Sequence, residues 1–106
     1  MNQREKDITQ RIKARIKQKN PLADIVLYGS HARGQSHKNS DWDILILLNQ
    51  SYVNRAIESE YRDELFDIEL DIGEPISTFV FSKIDWEQKY HMTPLYQNIK
   101  KEGIYL

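Results

Sequence analysis

The sequence predicts an α/β (α+β) fold, a small β-sheet packed with helices, and three observations carry that prediction. Ile8, Ile12 and Ile16 recur every four residues among Lys, Arg and Gln, the spacing of a narrow apolar stripe on a helix. Two short apolar runs, Ile25–Tyr28 and Asp43–Leu48, have the length and composition of buried strands. Helix-like and strand-like segments then alternate through the chain in the order helix, strand, loop, strand, helix, strand, helix.

Each element has its own signals. The opening helix stops at Asn20-Pro21, because proline cannot continue the backbone hydrogen-bond ladder and restricts the residue before it. The strand Ile25–Tyr28 is halted by Gly29-Ser30. From His31 to Ser40 the chain is polar and contains Gly34, which reads as a short helical turn and then an exposed loop. Asp43–Leu48 is continuous enough in apolar side chains to lie in the middle of a sheet, covered on both faces.

Val53, Ile57, Tyr61, Leu65, Ile68 and Ile72 follow a helical 4, 4, 4, 3, 4 spacing that Gly73 would end. The last third leaves an alternative open, since Phe66, Ile68, Leu70 and Ile72 also alternate with Asp67, Glu69 and Asp71 as a strand would. After Pro75, Ile76–Phe81 has strong strand composition. Ser82 is placed to cap a helix, with Asp85 at the capping-box position. Thr93-Pro94 begins a final helix and Gly103 ends it. Trp86, Tyr90 and Tyr96 are expected to pack these last helices onto the sheet.

Composition narrows the classes of function. At 106 residues the chain is expected to form one domain, 1–106, with a single core and no room for a substantial substrate domain. A hydrophobic share of 40% with 29% charged residues excludes a disordered or fibrous chain. Without cysteine there is no disulfide framework and no thiolate zinc site. The first twenty residues lack the apolar core of a signal peptide, and Ile44–Leu48 is far too short to span a membrane, so a cytoplasmic location is expected. The net charge of -1 argues against a broad nucleic-acid footprint. Residues 4–19 are mostly basic and 58–74 rich in Asp and Glu, which reads as two solvated helix faces rather than an RNA-binding arm.

The chemistry concentrates after the first strand. Tyr28-Gly29-Ser30 sets a glycine and a hydroxyl at a strand end, where the backbone can approach a phosphate closely and exposed N–H groups attract anions. By itself that signals little more than a turn. Asp41 and Asp43, two apart at the head of a strand, point to one side with about 6.6 Å between their Cα atoms. Two carboxylates beside a phosphate loop suit a magnesium ion, which binds a few carboxylate oxygens together with substrate phosphates. An aspartate leading straight into Ile44-Leu45-Ile46 is poorly placed for solvent unless it faces a cleft.

Gly29-Ser30-His31-Ala32-Arg33-Gly34, followed after a short loop by Ser40-Asp41-Trp42-Asp43-Ile44, resembles the Gly-Ser…Arg-Gly…Ser-Asp-x-Asp signature of the minimal nucleotidyltransferases, members of the DNA polymerase beta superfamily. The motif covers Tyr28 to Leu48, and the flanking segments agree with that family's compact mixed sheet. The resemblance implies transfer of a nucleoside monophosphate from a triphosphate, commonly ATP, with Mg²⁺ as cofactor and pyrophosphate leaving. It implies Asp41 and Asp43 as catalytic metal ligands, and Gly29 and Ser30 as holders of the triphosphate. Arg33 either contacts phosphate or braces the loop by pairing with an acidic residue. Ser40, at the edge of the nucleotide site, is expected to cap the turn.

The acceptor implied is a partner protein or a small molecule. The resemblance also admits a second role: a nucleotide-binding, antitoxin-like half of a toxin–antitoxin pair that binds, or silences by adenylylation, a helical HEPN-type partner. Active members draw a third carboxylate from a neighbouring strand. Ile76–Phe81 offers Ser77 and Thr78 there and no acid, which makes Asp67, Glu69 and Asp71 the candidates if their segment runs as a strand or lies over the cleft. His31 and His37 read as surface residues, and Trp42, pointing away from the aspartates, as packing. Lys83, Lys100 and Lys101 are free to meet an acidic partner, though nothing in their spacing requires it.

Overall fold

The computed structural model describes residues 1–37 and 39–106, so residue 38 of the expected loop lies outside the described residues. Helix α1 spans Gln3–Lys19 and buries Ile8, Ile12 and Ile16, as the four-residue spacing requires. Its start is a capping box: the Asn2 side chain accepts the Glu5 N–H at 2.8 Å, and the Glu5 carboxylate accepts the Asn2 N–H at 3.1 Å. Strand β1 (Asp24–Tyr28) runs into the short helix α2 (Gly29–Ala32), and β2 (Trp42–Leu48) follows the loop. Helices α3 (Arg55–Glu64) and α4 (Phe66–Ile72) lead to β3 (Ile76–Ser82), and α5 (Lys83–Gln88), α6 (Pro94–Glu102) and the two-residue β4 (Ile104–Tyr105) complete the chain.

The four strands form one mixed sheet in the order β3-β2-β1-β4. Strand β1 is antiparallel to both β2 and β4, whereas β2 and β3 are parallel, joined by the α3–α4 crossover. Both faces are covered. On one, Ile25, Leu27, Trp42, Ile44, Ile46 and Val80 pack against α1, α3 and α4. On the other, Val26, Leu45 and Leu47 meet Trp86, Tyr96 and Ile99 of α5 and α6, with Phe81 and Tyr90 beside them, the packing expected of those aromatics. Strand β2 is central, which explains its unbroken apolar run from Ile44 to Leu48.

The segment with two competing periods is helical. It bends at the buried Leu65 into α3 and α4 and ends at Gly73, whose φ of +73° is the left-handed conformation glycine adopts at helix ends. The sequence predicts that the basic and acidic stretches form two separate solvated faces; instead they face each other. Arg4, Arg11, Arg15 and Lys19 of α1 pair with Glu74, Asp71, Asp67 and Glu60, at 2.7, 2.7, 2.6 and 3.6 Å. This ladder borders the packed face. Its rungs are largely exposed, so they set the register of α1 against α3 and α4 more than they add stability. Ser82 caps α5 by accepting the Asp85 N–H at 3.0 Å, and Thr93 caps α6 with Pro94 in its first turn.

Candidate functional site

The antiparallel register sets Tyr28 opposite Asp43, which brings the exit of β1 beside the start of β2. The turn at that exit requires glycine twice over. Gly29 has φ of +76°, and a Cβ there would lie 2.0 Å from Oδ2 of Asp43. The carboxylate therefore packs onto bare backbone, and the Gly-Ser turn and the aspartate pair, separate in sequence, meet at one point. Ser30 follows within α2, and its carbonyl accepts the Gln35 N–H at 2.9 Å, which folds the loop back onto the turn.

Asp41 is exposed just before β2, and Asp43 is half-buried within it. Burial pushes the Asp43 carboxyl above its ordinary pKa, and the negative charge of Asp41 adds to the shift; His31 and Arg33 oppose it, and Glu102 reinforces it. The Tyr28 hydroxyl is pushed up to about 12 by burial and by the charge on Asp43. A half-buried carboxylate with a second one two residues away is a donor set that a divalent cation would relieve. Among the described residues no group of three His, Cys, Asp or Glu side chains converges as a metal cage, so the pair would leave the remaining positions to phosphate oxygens and water.

The neighbouring strand supplies no acid. Ser77 of β3 is the register partner of Asp43, so a hydroxyl occupies that place on the same side of the sheet. The alternatives Asp67, Glu69 and Asp71 are committed elsewhere because α4 is a helix: Asp67 and Asp71 bind α1 arginines, and Glu69 accepts the Ile76 N–H at 2.6 Å. The acidic side chain that does approach is Glu102, at the end of α6, which sequence reading passed over. Nothing in its local spacing marks it; the strand after it carries it there.

Arg33 adopts the bracing arrangement of the two expected for it. Its Nη1 donates to Glu102 at 2.8 Å and its Nε to the Gln35 side chain at 3.0 Å. Ser40 is buried, and its hydroxyl accepts the His37 N–H at 2.8 Å, capping the turn ahead of Asp41. Trp42 is fully buried on the face opposite Asp43, and its Nε1 donates to Glu74 at 2.8 Å.

His31 departs from expectation. It is buried rather than superficial, stacked on Trp42 with ring centroids 3.6 Å apart, and its Nδ1 lies 2.8 Å from the Glu5 carboxylate. Its Nε2 is buried without a hydrogen-bond partner among the described residues. The hydrogen bond with His31 is the main reason the Glu5 carboxyl sits below its ordinary pKa, and Ser36 adds a further hydrogen bond to it at 3.1 Å. Glu5 thus caps α1 and fastens α2 and its loop to that helix. His37 is exposed, as expected. Lys83 and Lys100 approach acids of this chain itself, Asp24 at 3.4 Å and Glu87 at 3.9 Å.

Cavities of about 290 Å³ beside α3 and α4 and about 480 Å³ beside α1 and α4 include neither Gly29 nor the aspartates. No helix of the described residues is long and apolar enough to cross a membrane.

A family model described as a nucleotidyltransferase domain matches residues 9–106. No curated protein matches the chain. Among solved structures, a toxin–antitoxin crystallised with AMP-PNP is similar with a TM-score of 0.66 at 20% identity, covering 91% of this chain and 69% of that one. A mutant of the toxin–antitoxin MntA-HpeT is similar with a TM-score of 0.65 at 19% identity, covering 92% and 70%. At these identities the structural likeness shows a shared fold.

Proposed function

The chain belongs to the nucleotidyltransferase domain family, and from that premise we propose that it transfers a nucleoside monophosphate, AMP from ATP, to a partner protein or small-molecule acceptor with Mg²⁺ as cofactor. The observation that carries this reading is the contact of the Asp43 carboxylate with the backbone of Gly29, with Asp41 two residues away. It joins a place for phosphate to a place for a cation.

In this reading Gly29 and Ser30 hold the triphosphate through close backbone approach and the serine hydroxyl. Asp41 and Asp43 hold Mg²⁺, and Ser40 fixes the turn that presents them. Arg33 adds positive charge beside the phosphates. When bound, the metal offsets the negative charge of the triphosphate and of the leaving pyrophosphate. The acceptor hydroxyl oxygen bonds to the α-phosphorus as the bond to pyrophosphate breaks and the hydroxyl proton passes to solvent, and the chain's own residues act by position and charge. A second reading has its own observation. Ser77 stands beside Asp43 where a third carboxylate would complete the site, which favours a nucleotide-binding partner module, the antitoxin-like half of a pair with a helical HEPN-type protein. The toxin–antitoxin context of the similar structures supports a partner in either case.

Calorimetry of ATP binding with and without Mg²⁺ tests the shared part. Binding is expected to require Mg²⁺ and to vanish in the double variant Asp41→Asn, Asp43→Asn; equal affinity in variant and wild type would sink the site. Incubation with labelled ATP and candidate partners separates the two readings, since transferred label requires catalysis and its absence with intact binding leaves the partner module.

A further inference from the structure

The C-terminal strand brings one more charged pair to the carboxylate end of the sheet. Val26 pairs with Tyr105 and Leu27 with Ile104. Strand β4 follows α6 directly, so the end of that helix lies near the exit of β1, and α6 contacts α2, the short helix that begins at Gly29, the residue against which Asp43 rests. Glu102 is the last residue of α6, its side chain 19% exposed, and it holds the guanidinium of Arg33 at 2.8 Å. Both charges act on Asp43, with opposite signs, so the pair lies within the field of the site. Arg33 is nearly half-exposed, with a side-chain accessibility of 45%. An ion pair open to water on the arginine side can exchange partners at little cost.

A carboxylate and a phosphate present the same paired oxygens to a guanidinium, and the phosphate carries more charge. We infer that Glu102 is an internal competitor for the triphosphate: it parks Arg33 when no nucleotide is bound, and Arg33 leaves it for phosphate when a nucleoside triphosphate occupies the Gly29-Ser30 turn. The inference rests on the site proposed above. It makes Glu102 a positioning residue, acting through Arg33, and links the α6–β4 end of the chain to nucleotide affinity. Two features of the fold support this role: Glu102 ends the helix that contacts α2, and the Gln35 side chain gives Arg33 a second hydrogen-bond partner besides Glu102.

Calorimetry with ATP and Mg²⁺ on wild type, Glu102→Gln, Arg33→Gln and the double variant tests the exchange. Glu102→Gln removes the competing charge with little change of shape and is expected to tighten binding by about three- to tenfold, the range for an exposed charge-assisted bond. That gain should be absent when the double variant is compared with Arg33→Gln alone. Unchanged affinity in Glu102→Gln, or a gain that persists without Arg33, overturns the competitor role. Weaker, Mg²⁺-dependent binding in Glu102→Gln also overturns it and makes Glu102 a metal ligand instead. No binding by the wild type removes the nucleotide site itself, and this inference with it. Should Arg33→Gln not fold, salt titration of the other two decides, because a released Arg33 steepens the salt dependence of Glu102→Gln binding.

Discussion

The two faces of the sheet are built to different ends. One is sealed: Ile12, Ile16, Trp42, Ile44, Ile46 and Leu48 are almost wholly removed from water beneath α1, α3 and α4, and a ladder of ion pairs runs along the rim. The other is covered along only part of its length. There α5 and α6 bury Val26, Leu45 and Leu47, but at the start of β2 the apolar run gives way to Asp43, flanked by Tyr28 and Ser77, and Phe79 farther along β3 is 43% exposed. The first face supplies most of the burial that holds the chain folded. The second places charge where its cover ends, and a carboxylate is tolerated there because one side stays open to solvent.

That contrast can be broken at either face. The largest effect is expected from Trp42→Ala on the sealed side, which removes a buried indole, the stack on His31 and the bond to Glu74. Chemical denaturation should show a loss of about 3–5 kcal/mol, a large part of the stability of a small domain. A loss below about 1 kcal/mol would mean that this face does not dominate folding. Next comes Gly29→Ala, which strains the left-handed turn and drives a methyl group into Asp43. It should cost about 1–3 kcal/mol and also abolish ATP binding. Retained affinity would separate the turn from the carboxylate.

The smallest effect has the opposite sign. The Asp43 pKa is raised in the folded protein, chiefly by burial, so its contribution to stability is complete below the unfolded value near 3.8 and is lost as pH rises through the folded value. At neutral pH and without divalent cations, Asp43→Asn should therefore raise Tm, by on the order of a few degrees, and flatten the pH dependence above pH 4 relative to wild type. A variant that melts lower than wild type at pH 7 would show that Asp43 is structural and not held at the expense of stability.

What could be read in advance was whatever repeats or punctuates locally. The isoleucines of α1, the apolar run of β2 and Gly73 at the end of α4 report their surroundings through neighbours a few positions away, and Asp43 reports its side of the strand through period two. What could not be read depends on partners far along the chain. His31 reads as a surface residue from its polar local context, but Glu5 and Trp42, brought together by the fold, bury it. The basic and acidic stretches are each amphipathic alone; only the crossover sets them rung to rung. Strand β4 is too short to leave a pattern, and with it went the one cue that would have carried Glu102 to the site.

The contact between Gly29 and Asp43 also restricts how such a chain can change over time. The two positions behave as one steric object: a side chain at the first is admissible only if the second withdraws, and an aspartate at the second reaches its place only while the first stays bare. A single step at Gly29 meets that steric conflict before it could reach a new activity, whereas Asp43 can be replaced without one. Drift should accordingly touch neighbours such as Gln35 or Ser77 well before it touches Gly29.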